Sequence, residues 1–209
     1  MNLGHPLDGV TSPLTARVLE VLAGTTRPLS GREIHRLAGA GAQRGVLNVL
    51  DRLERSGFVT ADHRSAATYY VANRDHLGWP SLEQLAGLRS ALFVRLRDVI
   101  QGWGVAPLHA SVFGSTARGD ADDKSDLDLL LIRPLELDHE REAIWDEELE
   151  SLRGAVRAWT GNRCQVFDIE RERLAEHVRA RDPIVRAWIA DGISLAGAPL
   201  QELIGVPTT

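Results

Sequence analysis

Two apolar runs joined by a polar turn, with a pair of carboxylates opening the second run, constrain this chain more than any other feature. They lie in residues 110–132, A-S-V-F-G-S-T-A-R-G-D-A-D-D-K-S-D-L-D-L-L-L-I. Residues 110–113 form a short apolar run that reads as a buried strand. Gly114-Ser115 ends it, and residues 116–120 can start a helix. Residues 121–125 are a polar turn. Residues 126–132 read as a second strand, and side chains two apart on a strand share a face. Asp126 and Asp128 therefore project together, while Leu127 and Leu129 turn into the core.

Two carboxylates held side by side repel each other unless a cation or a proton intervenes. A hard divalent cation with oxygen ligands, Mg²⁺ above all, fits such a pair. Facing it is Gly114-Ser115, a strand end whose backbone N–H groups are available and whose glycine lets a phosphate approach closely. Metal-binding carboxylates opposite a phosphate cradle point to phosphoryl or nucleotidyl transfer from a metal–nucleotide complex.

The rest of the second half reads as follows. Pro80-Ser81, with Ser81 as N-cap, opens a long helix on which Leu85, Leu88, Leu92, Leu96, Val99 and Trp103 keep helical spacing. That helix is also a candidate homodimer contact. Its Arg89, Arg95 and Arg97 read as solvated charges. A second apolar stripe, Ile144, Trp145, Leu149, Leu152, Val156 and Trp159, lies within residues 136–159, opposite a solvated acidic face. Residues 163–169, R-C-Q-V-F-D-I, read as a third strand on which Cys164, Val166 and Asp168 share a face. Asp182-Pro183 supplies an N-cap and a proline in the first turn of a helix that Gly192 ends. Residues 193–196 suit a last strand.

The pattern G-S-x10-D-L-D, here Gly114-Ser115 and then Asp126-Leu127-Asp128, resembles the signature of the DNA polymerase β-type nucleotidyltransferase superfamily. It is most similar to the minimal nucleotidyltransferase branch, whose motif reads G-S-x-A-R-G before S-D-x-D-L. Those residues are Gly114 to Gly119 and Ser125 to Leu129 here. The resemblance covers residues 81–197 in outline, and only the central motif is specific. It implies a mixed-sheet catalytic domain that moves a nucleoside monophosphate, AMP from ATP in the first instance, to a hydroxyl-bearing acceptor. By the same resemblance, Asp126 and Asp128 hold two Mg²⁺ ions, and Gly114 and Ser115 take the terminal phosphates. Arg118 neutralises them, and Ser125 belongs to the nucleotide-binding motif. A third carboxylate on the strand after the acidic helix completes the metal site and helps deprotonate the acceptor. Asp168 is the matching residue, with Glu170 as the alternative. Relatives modify aminoglycosides or proteins, including tyrosines of HEPN-type toxins. The implied acceptor is thus a protein or a small molecule, and a HEPN-type toxin is an implied partner.

The first 78 residues differ in character. They hold nine arginines against seven acids, whereas the remainder holds fifteen basic and twenty-two acidic residues. Residues 1–12 read as a loose arm and residues 13–23 as a helix. Ser30-Gly31-Arg32-Glu33 fits a capping box opening a second helix. Val46, Val49, Leu50 and Leu53 mark a third helix, and residues 58–63 and 67–72 two short strands. This order resembles a winged helix-turn-helix. It implies duplex DNA as a partner, met by Gln43, Arg44, Asn48 and Arg52 on the third helix and by Arg64 at the wing tip. The expected fold is therefore α+β: a winged helix-turn-helix over residues 1–78, then a polymerase β-like nucleotidyltransferase domain over residues 79–209.

The alternative reading is a DNA-binding regulator or antitoxin whose second domain senses nucleotide or neutralises a toxin. A single cysteine, Cys164, excludes an intrachain disulfide and a cysteine-rich metal site. Residues 1–10 lack the basic and apolar regions of a signal peptide, and the uncharged stretch 99–117 carries polar residues and glycines. No membrane span is expected, and the expected compartment is the cytoplasm.

Overall fold

Local capping and apolar spacing set the first helices. In a computed structural model of the chain, describing residues 1–134 and 136–205, α1 spans Pro13–Ala23 behind an N-cap at Ser12. A two-residue strand β1, Leu29–Ser30, leads into α2, Gly31–Ala38. The capping box forms: Ser30 N donates to Glu33 Oε2 at 2.9 Å, and Glu33 N donates to Ser30 Oγ at 3.3 Å. Hydrogen bonds from Ser30 and then Arg27 hold the Glu33 carboxyl down at about 2. Helix α3 is Gln43–Arg55, and a hairpin follows, β2 at Val59–His63 and β3 at Thr68–Ala72. The three strands form one sheet in the order β1-β3-β2, antiparallel throughout. Helix α4, Trp79–Ala86, completes this unit, His5–Leu88. Its core is Leu19, Leu22, Ile34, Val46, Leu50 and Val59, closed by Trp79, which is 1% exposed.

Four expectations change here. Residues 1–12 are not a loose arm, because Leu3 and Leu7 are fully buried and residues Pro6–Gly9 make a 3-10 turn. Ser81 is not an N-cap, since α4 begins two residues earlier at Trp79. The long helix is two helices, for the chain breaks at Gly87, the poorest helix former in the run apart from Pro80. The unit boundary falls with that break, so the first compact unit runs ten residues beyond the expected end at 78.

The second unit comprises Met1–Gly4 and Arg89–Thr209; Leu135 and the last four residues of the expected second domain lie outside the described residues. Its elements are α5 (Leu88–Gln101), β4 (His109–Phe113), α6 (Gly114–Arg118), β5 (Leu127–Ile132), α7 (His139–Thr160), β6 (Cys164–Ile169), α8 (Arg171–Arg179), α9 (Pro183–Asp191), β7 (Ile193–Gly197) and α10 (Leu200–Leu203). The sheet order is β6-β5-β4-β7. Strand β4 runs antiparallel to β5 and β7, and β5 runs parallel to β6, so the sheet is mixed and the architecture is α+β. The parallel pair needs a crossover, and α7 supplies it.

The sheet is covered on both faces. Leu127, Leu129 and Leu131 share a core with Leu92, Leu96 and Ile100 of α5 and Trp145, Leu149 and Leu152 of α7. Leu130 and Ile132 pack with Phe113, Leu174, Val185 and Trp188 on the other face. This is why residues 127–132 are apolar without alternation. Helix α8 was not anticipated, and Ile144 is 37% exposed rather than part of the buried α7 stripe. Among the described residues no helix is long and apolar enough to cross a membrane.

Candidate nucleotide site

Strand register builds the site. Phe113, the last residue of β4, pairs with Asp128, the second residue of β5. The chain then turns through Gly114 at φ +69° into the single turn of α6. A β-carbon on Gly114 would stand 2.6 Å from Asp128 Oδ2. The positive φ favours glycine, and any larger residue would also push the Asp128 carboxylate aside. The expected helix over 116–120 starts two residues earlier, at Gly114, and Gly119 ends it at φ +85°.

Asp126 lies one residue before β5, and its loop is fastened on both sides. Leu127 N donates to Arg163 O at 2.8 Å, and Asn162 Nδ2 donates to Ser125 O at 2.9 Å. Asp122 orders the turn, accepting from Lys124 N at 2.9 Å and Ser125 Oγ at 2.8 Å. The Ser125 hydroxyl is therefore engaged inside the turn. Burial, and then the neighbouring Asp126, push the Asp128 carboxyl above the usual carboxylate range, while Arg118 pulls the other way. Ionising Asp128 beside Asp126 is therefore disfavoured, a penalty that a nearby cation would relieve.

Arg118 is half exposed and held by two carboxylates, Asp120 Oδ2 at 3.1 Å and Asp191 Oδ2 at 2.6 Å. Asp191 ends α9 and was not anticipated from sequence. Nor was Arg89, expected as a solvated charge: its guanidinium donates to Thr116 O at 2.9 Å and to Ala117 O, closing the carbonyl end of α6. Cys164, beside Leu127 in the ladder, has its thiol pushed up to about 12, first by burial and also by Asp128 and Asp126. It stays protonated and offers no thiolate.

Asp168 does not join the pair. Register sets it against Leu131, three residues along from Asp128. That is roughly 10 Å at about 3.3 Å per residue, and an odd offset also puts it on the opposite face. There Arg133 Nε and Nη2 donate to its two oxygens at 2.9 and 2.6 Å, and Trp145 Nε1 donates at 3.3 Å. Asp168 is a structural ion-pair partner, which corrects its expected role as metal ligand and base. Glu170 lies beyond the end of β6 and takes the N-cap position of α8. Among the described residues no three histidine, cysteine, aspartate or glutamate side chains gather to hold a metal. The carboxylate site is a pair.

In the first unit, Gln43, Arg44 and Asn48 lie exposed on α3. Arg52, also exposed, donates from Nη2 to Thr15 Oγ1 at 2.7 Å, and Arg64 donates to Asp62 at 2.8 Å beside the Tyr69 ring. Gln43, Arg32, Leu47, Thr68 and Tyr69 line a groove of about 600 Å³ between the helices and the hairpin.

Comparison with known proteins bears on the second unit. Residues 96–179 match the model of the family described as a nucleotidyltransferase domain, a segment that contains Gly114, Ser115, Asp126 and Asp128. No curated protein matches the chain. One similar solved structure is described as "Crystal structure of the toxin-antitoxin with AMP-PNP"; it is 17% identical, covers 54% of this chain and 81% of its own, and has a TM-score of 0.37.

Proposed function

We propose that the second unit is a divalent-metal-dependent nucleotidyltransferase that moves a nucleoside monophosphate, AMP from ATP, to a hydroxyl of a protein or small molecule. The observation that carries this reading is the close approach of Gly114 to Asp128 within the matched segment, with Asp126 beside it. The residues fit a Mg²⁺ ion: Asp126 and Asp128 offer hard oxygen ligands, and the raised carboxyl of Asp128 marks a charge that a cation relieves. When bound, the ion neutralises phosphate charge and polarises the transferred phosphoryl group. Gly114 and Ser115 lie at the β4 end against Asp128, so their backbone N–H groups take the terminal phosphates. Arg118 adds positive charge to the pair, and Asp120 and Asp191 hold it at that edge.

The first expected result concerns the ion. Isothermal calorimetry with ATP should give heat of binding in Mg²⁺ or Mn²⁺ and none in EDTA. Equal affinity in both would remove the metal from the reading.

We propose that the first unit is a winged helix-turn-helix that binds duplex DNA, on the support of three helices followed by a hairpin and of the exposed Gln43, Arg44 and Asn48. Arg44 should matter more than Arg52, because Arg52 already serves Thr15. In gel shifts on the DNA upstream of its own gene, affinity of the full chain should fall steeply with salt. Arg44→Ala should weaken binding about tenfold, and Arg52→Ala clearly less. No shift at low salt would make this unit a protein-docking module.

A second reading, a DNA-binding regulator or antitoxin that binds nucleotide without rapid turnover, draws support from the position of Asp168 on the wrong face for chemistry.

A further inference from the structure

The parallel pairing of β5 with β6 sets Gln165 directly against Asp128. In-register neighbours in a sheet point to the same face. The packing agrees on both sides: Cys164 and Val166 join the core of Leu127, Leu129 and Leu131, whereas Phe167 and Ile169 join that of Leu130 and Ile132. Gln165 has the parity of Phe167 and Ile169, Asp128 that of Leu130 and Ile132, and Gln165 is solvent-exposed at the open end of this face. The group that the neighbouring strand brings to the carboxylate pair is therefore an amide.

We propose that Gln165 occupies the third ligand position of the Asp126–Asp128 site, so that the site holds one divalent cation tightly with its nucleoside triphosphate and a second only weakly. This rests on the reading of the pair as a metal–nucleotide site. An amide oxygen can coordinate a hard cation, but it brings no charge. Two carboxylates match the ion that travels with the nucleotide. A second ion, next to the acceptor, would need the charge that Gln165 lacks. An amide also cannot accept the acceptor's proton, so transfer depends on the acceptor's own acidity. Asp168 cannot compensate, because it has the opposite parity, and Glu170 lies beyond the end of β6 at the N-cap of α8.

The test counts ions. The full chain is dialysed to equilibrium against Mn²⁺ with saturating α,β-methylene-ATP, which binds but cannot transfer its nucleotidyl group. Wild type should retain one Mn²⁺ per chain. Gln165→Glu should retain two, the second bound about 10–100-fold more tightly than in wild type, since ligand charge tunes such sites. Gln165→Asp, with shorter reach, is the second variant, and both should fold because the position is exposed. Gln165→Ala should stay at one. Two equally tight ions in wild type, or one in both acidic variants, would overturn the proposal. No nucleotide-dependent Mn²⁺ in wild type would instead overturn the reading of the pair as a metal–nucleotide site.

Discussion

Asp128→Asn should make the metal-free protein more stable and nearly abolish its binding of metal–nucleotide. Burial and Asp126 raise the Asp128 carboxyl in the folded state above its value in the unfolded chain. The folded state then holds the proton more readily. Stability from this group is present below the unfolded value and is lost as pH rises through the raised one. The ionised Asp128 carboxylate is thus a charge kept at a cost, as groups at functional sites often are. In EDTA the melting temperature of wild type should fall over that acidic window, and the Asn variant should show less of this fall. At pH 7 the variant should melt about 1–2 °C higher, on the order of half a kcal/mol at this chain length. Mn²⁺–nucleotide affinity should drop about a hundredfold or more, beyond the ~10–100-fold typical of groups one layer further from a metal. Calorimetry and thermal melts on one preparation read both effects. A destabilised variant with intact nucleotide affinity would mean that Asp128 is a structural acid.

Asp168→Ala should do the reverse. It leaves the Arg133 guanidinium, 23% exposed, over the Trp145 ring with distant contacts to Glu142 at 3.8 Å and Asp146 at 3.9 Å, and deprives the Trp145 indole N–H of its acceptor. Breaking a buried pair by removing one partner costs about 3–5 kcal/mol. Partial exposure and the two remaining acids reduce that to about 2–3 kcal/mol. The melting temperature should drop by roughly 4–10 °C. Below that temperature Mn²⁺–nucleotide affinity should stay within about twofold of wild type, since register keeps Asp168 away from the pair. Arg133→Met tests the same pair from the other side and should also lower stability. A hundredfold loss of Mn²⁺–nucleotide affinity in Asp168→Ala at a temperature where it is folded would return Asp168 to the metal site.

What the sequence disclosed was mostly local. The bounds of α1, the capping box at Ser30 and Glu33, and the adjacency of Asp126 and Asp128 all follow from residues within a few positions of each other. The third strand was legible as a strand, and the parity of Cys164, Val166 and Asp168 along it was correct. What alternation cannot reveal is which of its two faces meets Asp128. That depends on register with a strand on the far side of a 22-residue helix. Asp168 drew attention as the strand's only acid, while Gln165 has unremarkable chemistry and is significant by position alone. Register was still partly within reach. Aligning the starts of the two strands, Leu127 with Cys164, sets Asp128 against Gln165. Arg52 was read as a DNA contact, Arg89 as a solvated charge and Arg118 as a phosphate neutraliser, none with a partner inside the chain. Their partners Thr15, Thr116 and Asp191 come from other elements that no helical wheel includes.

The position of β4 between β5 and β7 also dictates when this site can exist. Its partner on one side follows directly after α6 and the turn behind it, but its partner on the other side is the last strand of the sheet. On the ribosome, β4 and β5 can pair early, whereas the outer edge of β4 must wait for residues 193–197. The wait is roughly 3–13 s at ~5–20 residues per second. Through that interval the strand leading to Gly114 keeps an open hydrogen-bonding edge, a hazard for pairing between chains. Helices α8 and α9, which cover Phe113 and Leu130, arrive in the same late stretch. Such sequence-distant closure slows folding. The strand end that carries Gly114 beside the carboxylate pair is then among the last parts of the protein to take its final packing.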